Sequence, residues 1–140
     1  MAENKKNLNF FMKSEAEKKK ERVSIVISNR FKDEDGNPVP FELKVLSGAE
    51  IMKLQKNATR VIQSGLEYDT AKFAKDLVEA CVVFPNLNDA GLQDSYGVMG
   101  AMDLLNEMLD GREFTKLFGK CQEINGMQQS LDDLVSEAKN

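Results

Sequence analysis

The side chains that most often perform catalysis are scarce in this sequence. Its 140 residues include no histidine and two cysteines, Cys81 and Cys121, which belong to no CxxC motif. Without an imidazole, neither a Ser-His or Cys-His pair nor a histidine metal ligand can form. We interpret both cysteines as small apolar core residues. The composition therefore disfavours an enzyme and predicts no cofactor.

One loop resembles part of a calcium site. Asp33, Asp35 and Asn37 occupy positions 1, 3 and 5 of the calcium-loop pattern. Position 6, which needs glycine for a sharp turn, is Pro38, and position 12, which needs a bidentate glutamate, is Lys44. We therefore expect a solvated hairpin turn and no bound metal.

Two further motifs resemble sites only superficially. Residues 97–100 (GVMG) are followed by no Lys-Ser or Lys-Thr pair and preceded by no clear strand, so a phosphate-binding loop is not indicated. Gly97 and Gly100 are typical of close packing or of a helix start. Ser95 has no histidine to activate it, so we expect no catalysis there.

Charge is distributed unevenly along the chain. The net charge is −4, yet residues 1–22 hold seven basic and four acidic side chains. Residues 17–22 (EKKKER) fit either an arm for a nucleic acid or acidic partner, or a solvated lead-in. Interleaved glutamates and the lack of stacking aromatic residues favour the lead-in, so no nucleic-acid partner is expected.

The longest uncharged apolar run covers residues 80–84 (ACVVF). A membrane-spanning helix needs roughly 20 such residues, so we expect no membrane partner. No apolar signal-peptide core follows the first charged residues, which predicts a protein of the reducing cytosol.

Alternating apolar residues predict a β-hairpin in the first third of the chain. Two runs flank the turn signal DGNP at 35–38. The alternating residues are Val23, Ile25 and Ile27 in the first run and Phe41, Leu43 and Val45 in the second.

Capping residues predict where the first two helices begin. Ser47 and Glu50 form a capping box for a helix that runs to about Asn57. Residues 58–68 fit either a small extra hairpin or a loop. Asp69 is a good N-cap for a second helix, which we expect to continue until Pro85. Its apolar stripe consists of Phe73, Ala74, Leu77, Val78 and Cys81.

Later apolar stripes predict further helices. After a loop at 85–91 and one helical turn at 92–96, one stripe runs to Leu109 and ends at Gly111, expected as a left-handed cap. A second ends at Asn125, and the short connection predicts that these helices lie side by side. Ser130 begins a last short helix. The two long stripes are Val98, Met102, Leu105 and Leu109, then Phe114, Leu117, Phe118, Cys121 and Ile124.

These elements predict an α+β protein that is predominantly α-helical. An N-terminal β-hairpin is followed by a bundle of about four to five helices. We divide the chain into a charged N-terminal arm at 1–22 and a single α+β domain at 23–140, a length typical of one domain.

Several short sequence motifs give the chain a family likeness, because they occur in the family's order and with similar spacing. It resembles the XkdN-like tail assembly chaperones of PBSX-type prophages and related tailed phages. The motifs are NFF (9–11), RFKD (30–33), GNPVPFE (36–42), ACVVFPNL (80–87), LQDSYGVMG (92–100) and EING (123–126).

The resemblance implies a non-enzymatic chaperone in the host cytoplasm. Such a chaperone binds the long tape measure protein and keeps it soluble while the tail tube assembles around it. The alternative is a structural tail component, an adaptor or tube-end protein, that stays in the particle. Self-association is a further partner hypothesis.

The family likeness supplies no binding residues, so we select candidates from the exposed and methionine-rich segments. Phe10, Phe11 and Met12 could form a mobile binding arm, and Met99, Met102 and Leu105 the wall of a groove for a helix. Flexible thioethers adapt to varied partners, although they also fill cores, which is the alternative for the methionines.

The last three residues, Ala138, Lys139 and Asn140, are what a slippery A-AAA-AAC or A-AAA-AAT heptamer encodes if the alanine codon ends in A. The resemblance implies a frameshifted longer product, through which the tail tube protein becomes a second partner. An alanine codon with another ending removes this slip site.

Overall fold

A computed structural model describes residues 6–16 and 21–127 of the chain. The last helix predicted from Ser130 and the slip-site peptide lie outside these residues. In chain order the elements are a 3-10 helix (Leu8–Phe11), β1 (Arg22–Ile25), β2 (Phe41–Lys44), α1 (Gly48–Asn57), β3 (Thr59–Ile62), β4 (Gly65–Tyr68), α2 (Thr70–Cys81), β5 (Val82–Phe84), α3 (Ala90–Ser95), α4 (Ala101–Met108) and α5 (Gly111–Ile124).

The N-terminal hairpin is confirmed. Strands β1 and β2 pair antiparallel, with Val23 opposite Leu43 and Ile25 opposite Phe41. The alternation buries one face of β2, because Phe41 and Leu43 point into the core. In the connection, one Asp33 carboxylate oxygen accepts the backbone N–H groups of residues 35 and 37, both at 2.9 Å. The side chain of Asp33 thus organises the turn.

The sequence did not predict β5. Helix α2 ends at Cys81, four positions before Pro85, and the chain then pairs antiparallel with β2 in a sheet of order β1-β2-β5. The backbone N–H of Val82 still bonds to the carbonyl of Val78. The expectation that the helix continues to Pro85 is therefore wrong. Three apolar residues fit a helix end or a strand equally well, and pairing with a distant strand decides.

Side-chain caps begin α1 and α2 as predicted. Ser47 accepts the N–H of Glu50 at 3.2 Å, and the Glu50 carboxylate accepts the N–H of Ser47 at 3.1 Å, which confirms the capping box. Asp69 accepts the N–H of Lys72 at 3.0 Å at the start of α2. Helix α4 begins at Ala101, directly after Gly100, whose φ of 117° favours glycine.

Gly111 is not a left-handed cap, contrary to the expectation from sequence. It is the first residue of α5 and has no positive φ. Asp110 is the N-cap: its side chain accepts the N–H of Glu113 at 2.8 Å, and its own N–H bonds to the Glu113 carboxylate at 2.9 Å. Asp110, in the short connection between α4 and α5, therefore marks the start of α5.

We predict that Gly111→Ala raises the free energy of unfolding by about 0.4–1 kcal/mol, because alanine fits helical φ and has less freedom when unfolded. A Cβ at Gly111 meets no atom within 4 Å. Urea denaturation measures the change. The control is Gly126→Ala, which should cost about 1–2 kcal/mol because Gly126 has φ of 69°. If Gly111→Ala lowered the free energy of unfolding as much as Gly126→Ala does, Gly111 would be a left-handed cap after all.

Helix α5 packs mainly on α2, not on α4 as the short connection predicted. One continuous core joins the sheet to the helices. Its fully buried large side chains are Phe41, Leu43, Leu77, Val78, Cys81, Leu104, Leu105, Leu117 and Cys121.

The fold is mixed α+β, with five α-helices among the described residues. Helical residues make up 47% of the part of the chain that the structure describes, so helix does not predominate as strongly as predicted. The difference comes from β5 and from the hairpin β3–β4, which settles the alternative left open for residues 58–68 in favour of a hairpin.

Candidate partner-binding surface

A groove of about 310 Å³ opens between α1, β4, α2 and the end of α5. We call it the Phe73 groove. Its floor and walls combine aromatic, thioether, amide and hydroxyl groups and carry no charge. The lining residues are Gln55, Tyr68, Thr70, Phe73, Phe118, Gln122 and Met127. Uncharged linings of this kind suit apolar side chains with a few hydrogen bonds to orient them.

Local hydrogen bonds hold the walls of the Phe73 groove. The N–H of Asp69 donates to the carbonyl of Ala58 at 2.7 Å, which ties the end of β4 to the end of α1. The Thr59 hydroxyl donates to the Gln55 carbonyl at 2.8 Å. The rings of Tyr68 and Phe73 lie 6.1 Å apart with planes at 42°, within the range of favourable aromatic pairs. The groove is therefore built by ordered contacts.

Asn125 fixes the end of α5, where Met127 joins the groove. Its side-chain oxygen accepts the N–H of Leu46 at 2.8 Å. Its amide nitrogen donates to the Cys121 carbonyl at 2.8 Å and contacts the Cys81 sulfur at 3.3 Å. One side chain thus joins α5 to α2 and to the segment before α1. The sequence indicated only that a helix ends at Asn125.

The hairpin β3–β4 carries apolar side chains into solvent. Val61 lies opposite Leu66, and they are 83% and 73% exposed. Thr59 lies opposite Tyr68 in the same register. Paired residues of an antiparallel hairpin share a face and alternate residues share it too, so these four form one surface, the hairpin face. Sequence reasoning missed this surface because residues 58–68 fitted two structures.

The predicted arm residues are exposed. Phe10 and Phe11 end the 3-10 helix that Asn7 caps, Met12 follows it, and none of the three is buried. Among the described residues, the 3-10 helix has no extensive packing partner. Three large apolar side chains in solvent are compatible with a binding arm.

The predicted groove wall divides between surface and core. Met99 is 89% exposed just before α4, whereas Met102 is half-buried and packs against the core. Leu105 is 0% exposed. Its inclusion as a partner contact is therefore a wrong prediction, because α4 turns Leu105 toward the core and no partner can reach it in this conformation. The two methionines remain candidates.

Both cysteines are buried and unbridged, which confirms their interpretation as core residues. A hydrogen bond with Cys81 and burial raise the pKa of the Cys121 thiol. Cys121 therefore stays protonated and packs as a small apolar group. Within residues 6–16 and 21–127, no cluster of three cysteine, histidine or acidic side chains could hold a metal ion.

An ion pair links the loop after β1 to the start of α5. The Arg30 guanidinium donates to the Glu113 carboxylate and, at 2.8 Å, to the carbonyl of Met108. The N–H of Asp110, the Arg30 guanidinium and the Ser28 hydroxyl lower the pKa of Glu113 to about 2. Each of these groups stabilises the ionised carboxylate.

We expect stability to fall as pH drops from about 4.3, the ordinary value for glutamate, toward 2, because the folded Glu113 binds its proton only near the lower value. Above pH 4.3 this contribution is fully present. Thermal unfolding between pH 6 and 3 should show a shallower decline for Glu113→Gln than for the wild type. The exposed Glu107, replaced in the same way, is the control, and equal slopes for all three proteins would contradict the prediction.

No helix among the described residues is both long and apolar enough to cross a membrane. The fold is that of an α+β protein with large apolar side chains exposed at its surface. The same fold occurs in the crystal structure of the protein yqbn, with a TM-score of 0.73, 28% sequence identity, and coverage of 87% of this chain and 98% of that one.

The sequence comparisons give the family. Residues 8–139 match the family model described as Phage XkdN-like tail assembly chaperone protein. The chain is 31% identical to the phage-like element PBSX protein XkdN of Bacillus subtilis (strain 168), over 99% of this chain and 97% of that protein. It is 32% identical to the uncharacterized protein YqbN of the same organism, over 96% and 93%. The chain therefore belongs to the XkdN-like family of phage tail assembly chaperones, which confirms the resemblance.

Proposed function

We propose that this protein is a phage tail assembly chaperone that binds the tape measure protein and keeps it soluble while the tail tube assembles. Membership of the XkdN-like family carries the proposal. The role is binding without catalysis, and its place is the cytoplasm of the bacterial host. The absence of histidine from the whole sequence supports a non-enzymatic role.

The surface chemistry is compatible with an apolar client. Phe10, Phe11, Met12 and Met99 are exposed large apolar side chains, and exposed apolar clusters mark interaction sites. The net charge of −4 favours solubility of a complex whose client is aggregation-prone. We assign these four residues, with Met102 three positions after Met99, to partner binding.

Co-expression with the tape measure protein of the same phage tests the proposal. We expect the tape measure protein to move from the insoluble to the soluble fraction and to co-purify with the tagged chaperone. An unrelated acidic protein of similar mass is the control. A client that stays insoluble, with nothing retained on the tag, would contradict the proposal. Mass spectrometry of purified tails would then test for a structural component retained in the particle.

A further inference from the structure

The hairpin β3–β4 presents its two most exposed apolar side chains on the same face. Val61 and Leu66 are a directly opposed pair, whereas the opposite face carries the ion pair of Arg60 with Glu67. A two-stranded hairpin gains little stability from its own cross-strand pairs. Two large apolar side chains left in solvent on such an element point to a binding role rather than to folding.

The hairpin face continues into the Phe73 groove. Tyr68 belongs to both, since it lies on the face of Val61 and Leu66 and also lines the groove beside Phe73. Met52, 70% exposed, extends the surface along α1 because it lies one turn before Gln55 of the groove wall. The exposed pair, the tyrosine and the groove thus form one elongated apolar surface.

Positive charge borders this surface along α1. Lys56 lies one turn after Met52, Lys53 lies one turn before Lys56 and one step further round the helix, and both lysines are exposed. Neither forms a salt bridge with a described residue. The chain as a whole is acidic, so two neighbouring lysines that pair with no described carboxylate favour a partner whose apolar residues are accompanied by acidic ones.

The dimensions favour a helix over a second copy of the chain. A stable protein dimer generally buries about 800 Å² on each partner, from roughly 20–30 residues a side. This surface offers a handful of exposed side chains and a groove of about 310 Å³, which accepts a few inserted side chains. An amphipathic helix supplies such anchors at i, i+3 and i+4 spacing.

We propose that the hairpin face and the Phe73 groove bind a helix of the tape measure protein whose apolar stripe is bordered by acidic residues. The inference rests on the proposed function and adds to it the surface and the chemistry of the bound segment. It assigns to the hairpin a role separate from those of the N-terminal arm and Met99.

The test measures binding of the purified full-length chaperone to the tape measure protein and to overlapping peptides from it. The double variant Val61→Thr/Leu66→Thr replaces the apolar pair with threonine, a polar β-branched residue that is favoured in strands. We expect at least a tenfold weaker Kd with an unchanged Tm. The control is Val26→Thr/Val83→Thr, which changes two partly exposed valines outside the hairpin and the groove and should bind like the wild type.

A second pair of variants tests the charged border. Lys53→Glu/Lys56→Glu should weaken binding and reduce its dependence on salt. The matched control is Lys75→Glu/Lys116→Glu, which makes the same change of charge at exposed lysines outside the groove lining. Peptides that bind should carry acidic residues beside an apolar stripe.

The outcomes separate the inference from the function on which it rests. If the wild type binds the tape measure protein and both test variants bind equally well, the surface assignment is wrong while the function stands. If the wild type does not bind, both fail. If the hairpin variant changes the sedimentation mass but not client binding, the surface joins two copies instead. Binding that strengthens on truncation after Met127, with no effect of the hairpin variant, would assign the groove to residues 128–140.

Discussion

Replacing Leu105 with alanine will lower the free energy of unfolding by about 2–5 kcal/mol, the usual cost of truncating a leucine in a tightly packed core. Leu105 is fully buried in α4 and belongs to the same core as Leu104, Met108 and Leu117. The alanine variant removes apolar surface from the core and leaves a cavity that the neighbouring helices can fill only in part. A loss of this size is a large share of the stability of an ordinary domain.

Urea or thermal denaturation followed by circular dichroism measures the effect. Met99→Ala is the matched control: Met99 is 89% exposed, so the change should stay within about 0.5 kcal/mol. If Met99 contacts the client, Met99→Ala should weaken the Kd for the client and leave the stability of the chaperone unchanged. A Leu105→Ala variant as stable as the wild type would mean that Leu105 faces the surface, as the sequence suggested.

Leu105 shows what helical periodicity can predict and what it cannot. The spacing of Met102, Leu105 and Leu109 located an apolar stripe on α4, and the stripe exists. Periodicity identifies an apolar face but not what covers it. A core of the same chain and a groove for another chain require the same pattern, and the packing of α4 decided for the core.

Local signals predicted the helix starts well. The capping box of Ser47 and Glu50 and the N-cap Asp69 each involve residues only three positions apart, so sequence contains the whole interaction. The capping box of Asp110 and Glu113 is equally local. The sequence did not predict it, because a glycine after an apolar stripe fits the end of one helix as well as the start of the next.

Long-range contacts produced the features that sequence could not supply. Strand β5 exists because Val82 and Phe84 pair with β2, some forty residues earlier in the chain. The hairpin β3–β4 was one of two alternatives, and the Phe73 groove needs four elements that only the fold brings together. Binding surfaces of this kind follow from tertiary packing, whereas caps follow from sequence.

Asn125 provides the second large expected effect. Asn125→Ala should lower the free energy of unfolding by about 1–3 kcal/mol, because the partly buried N–H of Leu46 loses its acceptor. The same change releases the Cys121 carbonyl and the contact with Cys81. Since Asn125 joins the end of α5 to two other segments, its loss should also loosen the wall of the Phe73 groove that Met127 forms.

A second substitution at Asn125 separates the contributions of the two ends of the amide. Asn125→Asp keeps an oxygen for the Leu46 N–H but sets a carboxylate against the Cys121 carbonyl, which it can no longer satisfy with a donor. Asn106→Ala, at an exposed position of α4, is the control and should be nearly neutral. Chemical denaturation gives the free energies, and amide hydrogen exchange at Leu46 reports its bond directly. Exchange at Leu46 that stays slow in Asn125→Ala would show that another group accepts this N–H and that Asn125 does not hold the end of α5.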